Sequence, residues 1–170
     1  MSTIHQGTFH VFTFKDGLLA RLAHDLRLTL ERYEIELEQD SVKGRFWPES
    51  LKVDGAMRKG RLDAGGLSAN DKRKIHGNIT TEILHTRRHP EVELDAKLKA
   101  DGDNAWWVDG TLKMLGRSAS VRLRVEKRGG QYVGQTQLTP SHWGIAPYKA
   151  LGGAIKLQDR LKIAFELSAP

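Results

Sequence analysis

The 170-residue chain contains no cysteine. Disulfides and thiolate metal sites are therefore excluded, and oxidising and reducing compartments are equally tolerated. No stretch approaches the roughly 20 consecutive apolar residues that a helix needs to span a bilayer. The start, Met1-Ser-Thr-Ile-His-Gln-Gly, lacks a basic region followed by an apolar run, so no secretory signal is visible and a cytoplasmic chain is expected. Phosphate loop, nucleophile elbow and Gly-rich dinucleotide fingerprint are all missing. There is no internal repeat and no low-complexity tail.

What remains is the make-up of one globular domain, residues 1–170. A hydrophobic content of 39% is enough, at this length, to build a core without covalent staples. Net charge is +6, from 27 basic and 21 acidic residues, which permits attraction to nucleic acid or to anionic lipid headgroups without identifying either. The basic residues group at Lys72-Arg73-Lys74, at Arg87-Arg88, and at Arg122, Arg124, Lys127 and Arg128. A solvated basic face accounts for them as well as a binding face does.

The dominant pattern is alternation with a period of two, the rhythm of half-buried strands. From Thr8 to Phe14 both faces carry apolar residues, and Asp16-Gly17 followed by the run Leu18 to Leu22 predicts a hairpin. Leu26, Leu28 and Leu30 alternate with polar residues, and Tyr33, Ile35 and Leu37 alternate with Glu34, Glu36 and Glu38. A helix would scatter those acids; a strand puts all three on one wet face. Phe46-Trp47 is stopped by Pro48, Leu51 and Val53 make a further short strand, and Gly55 to Gly66 reads as a loop. Strands are predicted again over Val92–Leu98, Trp106–Leu115, Val121–Val125, Tyr132–Leu138 and Leu161–Leu167, with turns at Asp101–Asn104, Gly116-Arg117 and Gly129-Gly130.

One stretch, Asn70 to Pro90, changes period. Ile75, Ile79 and Ile83 recur every four residues, which predicts a helical segment around residues 70–87 with one apolar side. Asn70 and Asp71 suit its start and Pro90 its end. Gly77-Asn78 in the middle fits two short helices as well as one. The expected fold class is thus mainly β, with about eight antiparallel strands closing into a barrel around a small or slender interior. A two-sheet sandwich satisfies the same alternation.

A set of ordered landmarks resembles the YceI-like family of bacterial lipid-binding, lipocalin-like barrels. They are Asp71-Lys-Arg-Lys-Ile-His76 on the helix, Arg87-Arg-His-Pro90 before a strand, Gly110-Thr-Leu-Lys-Met-Leu-Gly116-Arg-Ser as a hairpin, Ser141-His-Trp-Gly-Ile145, and Leu157-Gln-Asp-Arg-Leu-Lys-Ile163 in the last strand. The chain departs from the family at Leu115, where His is usual, at Lys113, usually Thr, and at Pro140 and His142, commonly Arg and Asp. The resemblance implies a barrel holding a long isoprenoid chain, a polyprenyl or quinone tail, often as a homodimer. It implies no catalytic residue, metal or other cofactor.

On that reading the candidate lining residues are Phe12, Phe14, Leu112, Met114, Trp143, Ile163 and Phe165, with His24 a candidate for the ligand's head. A packed core of the same residues is the competing reading, since a slip of one residue inverts every strand face. Two further function classes stay open. A metal-dependent hydrolase would use His24-Asp25, or His85 and His89, which lie four apart. A nucleic-acid module would combine Trp106-Trp107 with Arg122 and Arg124. The basic side of the helical segment (Lys72, Arg73, Lys74, Arg87, Arg88) is the expected contact with an anionic membrane.

Overall fold

The computed structural model describes residues 1–16, 24–63, 65–150 and 155–170. Alternation prevails as expected, and these residues form strands joined mainly by tight turns. They are β1 (Ser2–Ile4), β2 (Gly7–Asp16), β3 (Asp25–Leu30), β4 (Tyr33–Leu37), β5 (Ser41–Phe46), β6 (Leu51–Arg58) and β7 (Arg61–Asp63). After the helical segment come β8 (Val92–Ala100), β9 (Ala105–Met114), β10 (Arg117–Arg128), β11 (Gln131–Leu138), β12 (Lys149–Ala150) and β13 (Ile155–Ser168). Twelve of them follow one another in a single antiparallel sheet, in the order β1-β4-β5-β8-β9-β10-β11-β13-β2-β3-β6-β7, and short β12 pairs with β13 beside that path. The predicted hairpin beyond Asp16 lies outside the described residues.

All described strands belong to one sheet, which favours the barrel-like architecture over the sandwich. The sheet curls into a half-barrel of twelve strands rather than about eight. Its long ladder bends at three places, between β1 and β2 at His5-Gln6, between β3 and β4 at Glu31-Arg32, and between β5 and β6 at Trp47 to Ser50; the last two breaks match the separate runs expected from alternation, whereas β1 is an addition. Register passes through the first bend, with Ile4 opposite Ile35 and His10 opposite Thr29 as steps of one ladder. Chain continuity from β1 into β2 therefore ties one end of the sheet back towards the other. The remaining addition, β7, lies in the Gly55–Gly66 stretch read as loop. Gly55 belongs to β6, and Lys59-Gly60, both at positive φ, turn the chain back into β7.

A small polar network fixes the bent corner. Arg32 N–H donates to Ser50 Oγ at 2.8 Å, and Ser50 Oγ–H donates to Trp47 O at 2.7 Å. Trp47 N–H donates to Arg32 O at 3.1 Å. The guanidinium of Arg32 stands 4.1 Å from the centre of the Trp47 ring, and that of Arg45 at 5.0 Å. Arg45 also pairs with Glu91 at 2.6 Å, which holds the Glu91 carboxyl below the usual carboxylate range.

The turn after β9 is Leu115-Gly116, one residue earlier than predicted, because Met114 pairs directly with Arg117. Leu115 and Gly116 have φ of 55° and 74°, the two positive values of a type I′ hairpin. The helical segment begins at α1 (Ala69–Gly77), capped by Ser68 rather than by Asn70. Ser68 Oγ accepts from Asp71 N at 3.0 Å and the Asp71 carboxylate accepts from Ser68 N at 3.2 Å, a reciprocal capping box. From Asn78 to Ile83 the chain continues as a π-helical turn, closed by Leu84 N–H donating to Ile79 O at 2.8 Å. The ambiguity at Gly77-Asn78 thus resolves into two kinds of helix.

Gly110 marks the tightest approach between neighbouring strands. A Cβ there would lie 2.2 Å from Asp95 O and 2.4 Å from Ala96 Cα, both backbone atoms of β8. Gly110→Ala should therefore cost at least about 2 kcal/mol, as forced overpacking does. Chemical denaturation measures it, and a loss within about 0.5 kcal/mol would show that β8 yields freely.

Candidate ligand-binding cavity

The curled sheet lines a half-open cavity of about 820 Å³. Its wall is built from the inward residues of alternating strands. Phe9, Val11 and Thr13 come from β2, Leu26, Leu28 and Leu30 from β3, Val108, Leu112 and Met114 from β9, and Val121, Leu123 and Val125 from β10. Leu161, Ile163, Phe165 and Leu167 of β13 complete the side wall. Ile75, Ile79, Ile83 and Leu84 lay the apolar side of the helical segment over it. The four-residue recurrence that broke the strand rhythm thus supplies the cover.

Phe9 is the centre of the wall's aromatic group. Its ring stacks on Phe165 with centroids 5.5 Å apart, and meets Phe46 at 5.5 Å and Tyr33 at 5.6 Å. Glycines make room for two of these rings. A Cβ on Gly134 would come 2.6 Å from Phe165 Cζ, and one on Gly44 would come 2.8 Å from the Phe46 ring. Burial pushes the Tyr33 phenol up from its ordinary value.

Of the residues singled out in the sequence, Leu112, Met114, Ile163, Phe165 and His24 line the cavity. Phe12 and Phe14 do not, and this corrects the expectation. In β2 the inward phase belongs to Phe9, Val11 and Thr13, so Phe12 and Phe14 stand on the outer face. There Lys162 Nζ lies 5.5 Å from the Phe12 ring centre and the Arg160 guanidinium 3.7 Å from that of Phe14. Cations covering the rings let two aromatic residues sit outside. Trp143 is a second correction. It ends the 3₁₀ turn Pro140–Trp143, is only 2% exposed, and packs against Met114 and Val121. Its Nε1–H donates to Leu112 O at 2.8 Å, so it braces the wall residues instead of lining the cavity. The same turn is pinned to β13 by Asp159, whose Oδ1 accepts from Ser141 N at 2.9 Å and whose Oδ2 accepts from Ser141 Oγ.

Sequence reasoning missed Phe9, Val11 and Thr13 as wall residues. The signal was present, since His10 and Asp16 sit in the same phase as Phe12 and Phe14 and mark that face as the wet one. The hydrolase constellations do not assemble. Asp25 Oδ1 accepts from Lys15 N at 2.7 Å, while its neighbour His24 lines the cavity. His85 is exposed, and among the described residues no group of three His, Asp or Glu side chains could hold a metal ion. Three arginines of β10 are matched by acids: Arg124 pairs with Asp101 at 2.8 Å and with Glu126, Arg128 pairs with Glu126, and Arg122 lies 3.7 Å from Asp109. Trp106 lines the cavity, and only Trp107 faces out, beneath Arg122. Those arginines are largely neutralised by their neighbours, unlike the cations of a surface that tracks a phosphate backbone.

Fold and cavity define a class: a curled antiparallel sheet wrapped round an apolar interior, with a short helical cover. Residues 31–169 match the YceI-like domain model, and the chain belongs to that family. Solved structures agree at the level of fold. The chain is similar to BcnA of Burkholderia cenocepacia, with a TM-score of 0.68 at 13% identity over 96% of both chains. It is also similar to a polyisoprenoid binding domain from Saccharophagus degradans implicated in plant cell wall breakdown, with a TM-score of 0.63 at 10% identity over 98% of this chain and 96% of that one. A Campylobacter jejuni YCEI protein gives 0.57 at 12% identity, covering 84% of this chain and 82% of its own. No protein of curated function matches the sequence.

Two outcomes follow from this geometry. Gly134→Ala should push the Phe165 ring into the cavity, reducing uptake of a hydrophobic fluorophore such as 1-anilinonaphthalene-8-sulfonate while the fold persists by circular dichroism. Undiminished uptake would mean that the ring has another place to go. The second concerns the cover. Hydrogen bonding to Ser68 holds the Asp71 carboxyl below its ordinary value. The unfolded chain therefore binds the proton more readily, so the cap's contribution is complete above the ordinary carboxylate range and is lost as pH falls through the lowered folded value. Thermal melts should show Asp71→Asn less stable than wild type at neutral pH, the gap closing in acid; a gap independent of pH would exclude this source of acid sensitivity.

Proposed function

We propose that the protein binds a long apolar lipid, an isoprenoid chain such as a polyprenyl or quinone tail, and performs no chemistry on it. The observation that carries this reading is the cavity itself, about 820 Å³ and walled almost throughout by aliphatic and aromatic side chains. That volume lies within the range of about 300–1,000 Å³ usual for small-molecule sites. Burying an apolar chain there yields roughly 0.8 kcal/mol per CH₂, so a chain of several isoprene units needs no charged anchor to bind. Membership of the YceI-like family and the likeness to a polyisoprenoid binding domain support the same ligand class. The helical cover carries exposed Arg73, Lys74, Arg87 and Arg88 on its outer side, which supports approach to an anionic membrane as the source or destination of the lipid.

Organic extraction of the purified protein followed by mass spectrometry should release an isoprenoid compound in near-stoichiometric amount. Ile163→Lys, which puts an ammonium into the wall, should abolish it. A protein that extracts clean and shows no tryptophan fluorescence change on adding a polyprenyl compound would rule the reading out. Replacing Arg73, Lys74, Arg87 and Arg88 by Gln should weaken sedimentation with phosphatidylglycerol vesicles; equal sedimentation would make them ordinary surface.

A further inference from the structure

The polar side chains of the cavity wall gather at its two ends. Near Trp106 and Leu167, Glu38 is the one charged side chain in the described wall, with Ser2 and Gln39 beside it. At the opposite end, under the helical cover, the wall carries His24, Asn78, Thr136, Tyr148, Lys156 and Gln158. Several elements converge on this second mouth. Asp25 Oδ1 accepts from Lys15 N at 2.7 Å, which sets His24 beside the end of β2. Lys15 pairs with Leu157 and Asp16 with Lys156, so β13 brings its lysine to the same place. Leu157 N–H donates to Tyr148 O at 3.0 Å, and the Tyr148 hydroxyl accepts from Asn78 Nδ2 at 3.4 Å, which joins the segment before β12 to the cover.

Three of the six polar groups lack a protein partner. Asn78 and Tyr148 engage each other. Gln158 Nε2 donates to Lys15 O at 3.0 Å, and its Oε1 accepts from Arg160 Nε at 2.7 Å. His24, Thr136 and Lys156 make no hydrogen bond or ion pair among the described residues. All three are half-buried and their polar atoms stay accessible, unlike the Thr13 hydroxyl, which is sealed within the wall. Thr136 lies one inward position deeper than Leu138, because it pairs with Ile163 and Leu138 with Leu161. The rim itself therefore belongs to His24 and Lys156. Acids stand nearby but outside the lining: Asp16 opposite Lys156, Asp25 on Lys15 N, and Asp71, whose carboxyl feels the charge of His24. Lys149, on the other flank of Lys156 in the ladder, adds a second ammonium.

We propose that His24 and Lys156 form an anion-receiving rim, which holds the carboxylate or phosphate of an acidic amphiphile at the covered mouth while its apolar chain runs towards Leu167. This rests on the reading of the cavity as an isoprenoid site and adds which head that isoprenoid bears and which way it lies. An anion is costly to desolvate without a countercharge, and the rim supplies the countercharge at a half-open mouth where water still reaches. Glu38 repels the same head from the far end.

The test uses the full chain and four probes, phytanic acid, phytyl monophosphate, phytol and phytane, each competing with a bound neutral fluorophore. Wild type should bind at least one of the two acids about five- to tenfold tighter than phytol, between the worth of an exposed ion pair and that of a charge-assisted hydrogen bond. The acid with the larger margin identifies the head. The margin should shrink at roughly 1 M salt, where the screening length falls to about 3 Å. Lys156→Gln and His24→Gln should each reduce it and together erase it, with phytane binding unchanged; Lys156→Arg and Thr136→Val should retain it. Phytol bound as tightly as both acids, a margin that survives the double variant, or acid binding that rises with Glu38→Gln would each overturn the rim and leave the apolar site standing. If wild type binds none of the four, the isoprenoid reading falls, and the rim with it.

Discussion

The architecture depends on one corner. A long antiparallel ladder bends at Glu31-Arg32 on one strand and at Trp47 to Ser50 on the next, and both bends are held by the same few hydrogen bonds through Ser50. Without that corner, β3 and β4 would continue straight and the sheet would stay open. With it, β4 and β5 lead round to β8 while β3 leads back to β2. Stacking of Arg32 and Arg45 on Trp47 shields the exposed outside of the bend, where the backbone would otherwise meet water at an irregular point.

Curvature creates the interior, and glycine keeps it from collapsing or filling. Gly134 and Gly44 lie beneath Phe165 and Phe46, so those rings press against the wall instead of meeting across the cavity. Phe9 joins them into one aromatic band. The family landmarks divide between construction and lining. Ser141-His-Trp-Gly-Ile145 is bracing: Asp159 pins Ser141, Trp143 bonds to Leu112 O, and Gly144 at φ 78° lets Arg117 lie against the chain. Met114, from the hairpin landmark, is wall.

Much of the fold was legible because the two competing periods are far apart. Glutamates at 34, 36 and 38 force a strand, and isoleucines at 75, 79 and 83 force a helix. Strand number was less legible. Pro48 announces a stop and the runs either side of Glu31-Arg32 stand apart, but β1 is only three residues long and His5-Gln6 contains no glycine or proline to mark the bend after it. Of the cavity, Leu112, Met114, Ile163 and Phe165 were readable from simple alternation. Phe12 and Phe14 were misread because β2 is apolar on both faces, and the decision lies with Arg160 and Lys162 on a strand some 150 residues away. Trp143 was misread because a large aromatic residue packed against a cavity's wall and one lining the cavity have the same hydropathy.

The cover is made of two kinds of helix joined without a break, and this bears on how it opens. A π-helical turn is a wide and poorly packed form of backbone, favoured only where something else holds it. Here Thr80 Oγ1 donates to His76 O at 2.9 Å and Thr86 Oγ1 to Glu49 at 2.6 Å, two side-chain bonds that fasten the turn to itself and to the bent corner. Local opening of such a segment needs far less free energy than unfolding the sheet. Opening of Asn78 to Ile83 would therefore uncover this side of the cavity while the sheet stays folded.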